Sequence, residues 1–196
     1  MKNETMTSKQ TGTATGEKSG FSTKQLAMIA LMTALTCVLA PLSIPIGPVP
    51  ISFTNFVIYL ALYLLGWKKG TISYIIYLLI GMVGIPVFSG FTGGLGKLAG
   101  PTGGYLAGFI LMALIAGFFI EKFSENKPSH IAVCVISMIV ATAVCYLFGT
   151  VWFVQVYAGS ETPYTYSAAM AACVYPFIPG DLVKIIAAAI IGPQLR

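Results

Sequence analysis

Charged side chains are scarce in this sequence: 9% of its 196 residues are Asp, Glu, Lys or Arg, against roughly a quarter in a soluble domain. With 57% hydrophobic residues and a mean hydropathy of +0.86, the chain reads as an integral membrane protein. Histidine occurs once, at His130, with no second ligand nearby; it reads as an interfacial residue, and no catalytic role is expected of it. The four cysteines, Cys37, Cys134, Cys145 and Cys173, are scattered singly, in no spacing that suggests a zinc site or a disulfide framework. Gly93-Gly94-Leu95-Gly96-Lys97 lacks the spacing and the following hydroxyl of a phosphate loop. No nucleophile is paired with a base.

What is present is apolar sequence in long runs. Six are long enough to enter a hydrocarbon core, at about 24–42, 51–66, 70–87, 102–121, 130–152 and 178–195. The expected fold class is an all-α membrane protein, a bundle of six transmembrane helices with long external loops. Some runs fall short of the ~20 residues of a straight span, so tilted or broken helices are expected. Residues 1–20, rich in Thr, Ser, Gly, Lys and Glu, are expected to form a disordered cytoplasmic tail ahead of a transmembrane domain over 21–196. With both termini cytoplasmic, one face collects Lys2, Lys9, Lys18, Lys24, Lys68, Lys69, Lys122, Lys127 and Arg196, nine of the eleven basic residues. The opposite face keeps only Lys97, a clean case of the positive-inside rule. The net charge of +5 thus follows from topology and contact with anionic lipid, and does not argue for nucleic acid.

Against this background Asp181 and Lys184 stand out. They lie three residues apart in the last apolar run, so they share a helix face in a segment where a charge costs a few kcal/mol or more. They are the first candidates for a ligand site; a mutually neutralised structural pair, or an Asp capping the helix at the water boundary, are the competing readings. The outer loops lie on the same side. Residues 41–50 carry four prolines and are expected to be extended and rigid. The glycine-rich stretch from Ser89 through Phe91, Gly93 and Gly94 to Lys97 leads into Pro101-Thr102-Gly103-Gly104-Tyr105. Thr102 is placed to cap a helix whose free N–H groups, with Lys97, favour an external carboxylate; the glycines equally serve to fold the loop back between helices. Ser52, Thr54 and Asn55 add neutral donors and acceptors, which singly bond neighbouring helices as often as ligands. The connection over 153–177, with four tyrosines, is long enough to act as a lid. In the first span Ala30 and Ala34 sit one turn apart, a spacing that permits close approach of another membrane helix or simple internal packing.

Gly47-Pro48-Val49-Pro50-Ile51, Gly84-Ile85-Pro86-Val87-Phe88-Ser89-Gly90, Gly93-Gly94-Leu95-Gly96, Gly100-Pro101-Thr102-Gly103-Gly104-Tyr105 and Pro179-Gly180-Asp181-Leu182-Val183-Lys184 together resemble, in order, the motifs of the BioY family, biotin-specific S components of energy-coupling factor transporters. The resemblance covers about residues 24–195. It implies a six-helix bundle in the plasma membrane of a prokaryote. This bundle binds biotin from outside and works with a transmembrane coupling protein and two ATPase subunits. It implies no enzymatic activity and no cofactor, biotin being the transported ligand. By the same resemblance Asp181 and Lys184 face the ureido head of biotin, and Ala30 and Ala34 dock on the coupling protein. Many members carry glutamine where this chain has Thr54, so that contact does not transfer directly, and Asn55 is the substitute. Lys97 is expected to meet the valerate carboxylate. Competing expectations are an S component for another small vitamin, a solitary membrane carrier, and an intramembrane enzyme using Ser89 or a cysteine.

Overall fold

A computed structural model describes residues 21–123, 128–159 and 163–195. The expected tail over 1–20, together with Lys127 and Arg196, lies outside the described residues.

Helix α1, Thr23–Leu39, starts at a capping box: Ser22 Oγ accepts from the Gln25 N–H at 3.4 Å and Gln25 Oε1 accepts from the Ser22 N–H at 3.3 Å. It stops just before Pro41, as the clash of a proline ring with the preceding residue requires. The proline-rich stretch that follows forms strand β1, Ser43–Ile44, paired antiparallel with β2, Ile51–Ser52. This corrects an all-helical expectation in one place: a two-residue ribbon turns at 45–50, where prolines lacking N–H donors stop the ladder from growing. The second apolar run is therefore helical only from Thr54 onward.

Helix α2, Thr54–Met82, is two helical halves joined at Gly66, whose φ of 76° and ψ of 173° are not helical. In a straight helix Leu62 and Gly70 would sit about 12 Å apart. Instead a Cβ on Gly70 would lie 2.9 Å from Leu62 Cδ2, so the chain doubles back at Gly66. The expected division of 51–66 from 70–87 is thus present as a sharp reversal inside one element. Glu121 caps the reversal, its Oε2 accepting from the Trp67 N–H at 2.9 Å. A Cβ at residue 66 would stand 2.4 Å from that carboxylate oxygen in a backbone region almost reserved for glycine. Gly66→Ala is expected to lower stability by about 1–3 kcal/mol, read as a drop in the thermal unfolding midpoint in detergent. An unchanged midpoint would mean the reversal does not depend on glycine.

Beyond α2 come α3, Leu95–Ala99; α4, Gly103–Phe123; α5, Pro128–Tyr157; α6, Tyr166–Cys173; α7, Ile178–Ile191; and a terminal 3-10 turn, Gly192–Leu195. Among the described residues three segments are long and apolar enough to cross a membrane: Gly103–Phe123, His130–Tyr157 and Ile178–Leu195. Helix α1 is apolar but only 17 residues long. The connection expected over 153–177 is shorter, because α5 continues to Tyr157 and α6 occupies 166–173. Rings of Phe153, Tyr157 and Tyr164 cluster there at 4.7–5.2 Å between centroids.

The core joins α2, α4, α5 and α7. Three of its buried tyrosines have their hydroxyls satisfied, as a low-dielectric interior demands. Tyr59 meets Thr142 Oγ1 at 2.6 Å, Tyr74 donates to the Leu106 carbonyl at 2.9 Å and Tyr77 to the Val87 carbonyl at 3.0 Å. Helix α1 is fastened to the second half of α2 by Thr33 Oγ1 and Ser73 Oγ at 2.9 Å.

Candidate functional site

Helix α7 begins with Pro179 in its first turn, where a missing N–H costs nothing, and places Asp181 near its positive end. Asp181 and Lys184 form an ion pair at 3.0 Å between Nζ and Oδ1, each side chain 12% exposed. The pair is tied to three other elements, β2, α2 and α5. Lys184 Nζ also donates to the Ser52 carbonyl at 2.6 Å and to Asn55 Oδ1 at 3.3 Å, which uses all three ammonium protons. The Phe53 ring lies 5.9 Å from Nζ. On the other side Tyr146, from α5, donates its hydroxyl proton to Asp181 Oδ2. Asn55 Oδ1 accepts from the Phe56 N–H at 3.0 Å as well, and the amide N–H groups of the same side chain have no hydrogen-bond partner among the described residues.

These groups border a cleft enclosing about 650 Å³, its open mouth included. The apolar walls are Val49, Pro50 and Ile51 from the ribbon, Phe88 from the loop after α2, Leu106 and Phe109 from α4, Cys145 from α5, and Phe177 before α7. A second polar wall carries Ser89, Lys97, Thr102 and Tyr105. The Lys97 ammonium makes no ion pair or hydrogen bond among the described residues, and Thr102 Oγ1 is buried without a partner. A buried hydroxyl without a partner costs about 1–3 kcal/mol, which a bound polar group would return. Thr102 does precede α4, but its hydroxyl caps no N–H, contrary to the expectation: its carbonyl alone accepts from the Leu106 N–H, at 3.2 Å.

Of the eleven residues expected at the site from sequence, seven border the cleft: Asn55, Ser89, Lys97, Thr102, Tyr105, Asp181 and Lys184. The Tyr105 hydroxyl is bonded to Thr150 at 2.9 Å, so this residue offers the cleft its ring more than its proton. Thr54, Phe91, Gly93 and Gly94 do not border it. Thr54 is buried beneath, its hydroxyl 2.8 Å from Ser52 Oγ. Phe91 is 65% exposed at a positive φ of 56°. Gly93 packs against the Ile85 carbonyl, which a Cβ would approach to 2.4 Å. Tyr146, Phe88, Phe109 and Phe177 escape sequence reasoning because aromatic residues in apolar runs read as ordinary packing. The one signal for Tyr146 is a phenol in the middle of the most apolar span, which needs a partner for its proton.

Nothing in this arrangement activates a nucleophile. His130 lies sixteen residues from Tyr146 along α5, about 24 Å at the helical rise, and its ring stacks edge-on to Phe123. Ser89, at the cleft, is therefore out of reach of the histidine. In α6, outside the apolar spans, burial pushes the Cys173 thiol up to about 11, with Tyr105 offsetting part of the effect, which leaves it protonated. Among the described residues there is no group of three side chains able to hold a metal ion.

A helical membrane bundle that sets an ion pair, a further ammonium and a buried hydroxyl around one polar cleft has the arrangement of a small-molecule-binding membrane protein. The chain belongs to the BioY family, whose family model matches residues 7–196. It is 38% identical over 173 residues to the "Biotin transporter BioY" of Thermotoga maritima, covering 88% of this chain and 96% of that protein. It is 37% identical over the same length to the "Probable biotin transporter BioY" of Pyrococcus horikoshii, with the same coverage. Its fold matches the crystal structure of the S-component for biotin from an ECF-type ABC transporter, with a TM-score of 0.75 at 30% identity, over 90% of this chain and 95% of that one.

Proposed function

We propose that this protein is the biotin-binding S component of an energy-coupling factor transporter. One observation carries the reading. An apolar cleft has on one wall an ion pair linked to an amide, and on another an ammonium and a buried hydroxyl that the protein leaves unpartnered. Biotin presents matching groups: a ureido head with two N–H donors and a carbonyl, an apolar bicycle, and a chain ending in a carboxylate. Asp181 accepts from the ureido N–H groups, and the Asn55 amide donates to its carbonyl, as does Lys184 in exchange for one of its present acceptors. Lys97 and Thr102 receive the carboxylate. Biotin is cargo here, not cofactor, and the protein acts as a carrier, not an enzyme.

The same reading gives the topology: six crossings, made by α1, the two halves of α2, α4, α5 and α7. Both ends then lie in the cytoplasm and the cleft opens outward from a prokaryotic plasma membrane. Capture under α6 and the ribbon is followed by docking of α1 on a transmembrane coupling protein. Two ATPase subunits then drive reorientation of the bundle and release inside.

Isothermal titration of the purified protein with a panel of vitamins tests the ligand; absence of tight biotin binding would end the reading. Lys97 supplies a sharper check. Lys97→Ala is expected to weaken biotin binding about tenfold, with little effect on biotin amide, which has no carboxylate. Equal losses for both ligands would remove Lys97 from the carboxylate seat.

A further inference from the structure

Asp181 borders two spaces. One is the polar cleft; the other is an apolar groove between α5 and α7, walled by Ile139, Ala143, Ile178, Leu182 and Ile185. Tyr146 is the only other residue that borders both, so the hydrogen bond from its hydroxyl to Asp181 Oδ2 is the partition between them. We propose that Tyr146 is a positioning residue that locks the Asp181 carboxylate and so sets the preference for ligands that present N–H donors.

The two carboxylate oxygens are anchored from different directions, Oδ1 by Lys184 within α7 and Oδ2 by Tyr146 across from α5. A carboxylate torsion is otherwise soft, with broad minima. Held at both oxygens, Asp181 has only acceptor sites left to offer, about two of its four lone-pair positions. A ligand atom placed there must donate. No other group in the groove wall can take over the Oδ2 anchor. Thr142 is the only other polar residue in the groove wall; its hydroxyl donates to the Met138 carbonyl at 2.7 Å and lies 2.6 Å from the Tyr59 hydroxyl. Its single proton is therefore committed. Without the Tyr146 hydroxyl the carboxylate is free to swing about the Lys184 anchor, both losing alignment with an N–H donor and relieving the repulsion of an acceptor.

This inference rests on the assignment of Asp181 to the ureido head, and the test separates the two. Wild type and Tyr146→Phe are titrated with biotin and with a cyclic carbamate analogue in which oxygen replaces one ureido N–H. Both affinities are read in the same preparation, so a partly misfolded sample leaves their ratio intact. Tyr146→Phe is expected to bind biotin about tenfold more weakly and to show a biotin-over-carbamate ratio reduced severalfold. A wild-type ratio preserved in Tyr146→Phe, whatever the absolute affinities, overturns the positioning role alone. Wild type that binds biotin no better than the carbamate overturns the ureido assignment and this inference with it.

Discussion

Asp181→Ala and Lys184→Ala are each expected to weaken biotin binding by about 30-fold to several thousand-fold, corresponding to ~2–5 kcal/mol. The size follows from what remains behind. Each side chain is 12% exposed, so deleting one leaves its partner charged in a largely desolvated setting. Lys184 would still hold the Ser52 carbonyl and the Asn55 amide oxygen, so Asp181→Ala is expected to keep the fold while losing the acceptor for the ureido head. Lys184→Ala removes the clamp that joins α7 to the ribbon and to α2, so its unfolding midpoint is expected to drop as well. The double variant is expected to lose less than the sum, because neither charge is then stranded. Titration calorimetry alongside thermal unfolding reads all three. Wild-type affinity in both single variants would reduce the pair to scaffold.

Ala34→Trp is expected to reduce biotin uptake in cells to background while binding by the isolated protein stays within about twofold. In α1 the buried side is Ile29, Met32, Thr33 and Thr36, the last two bonded back to the Ile29 and Met32 carbonyls at 2.9 and 2.8 Å. Ala30 and Ala34 lie on the exposed side, flanked by Leu26, Leu31 and Val38, which are 53%, 64% and 64% exposed. An indole at residue 34 meets nothing inside the bundle, so stability is not at stake. It does prevent the close backbone approach that small residues allow a partner helix. Co-purification with the coupling protein measures the docking step directly; a tryptophan variant that still co-purifies and still supports uptake would move the docking surface elsewhere.

Much of the site was legible because of its cost. A carboxylate and an ammonium three residues apart in an apolar run announce a shared helix face, and α7 pairs them at 3.0 Å. Lys97 was legible for a similar reason, as a lone cation in a glycine-rich loop, and the cleft includes it. Glycine-rich loops announce much less. Gly93 and Gly94 resemble ligand-contacting loops by composition, yet Gly93 serves close packing against the Ile85 carbonyl and neither borders the cleft. Thr102 was placed correctly at the start of α4 but not in its bonding, since whether a hydroxyl turns to its own helix or away depends on the loop beneath it.

The sequence alone determined the membrane class, the apolar segments and the shared helix face of Asp181 and Lys184. Hydropathy and helical spacing are local properties, and the energy of burying charge in hydrocarbon is large enough to decide them without knowledge of the partners. Only the tertiary structure decided that Tyr146, thirty-five positions away, completes the carboxylate's coordination. It also decided that the chain reverses at Gly66 under the carboxylate of Glu121, and that the prolines shape a ribbon into one wall of the cleft. Those contacts join segments far apart in the chain, where each side chain's local pattern is that of ordinary packing.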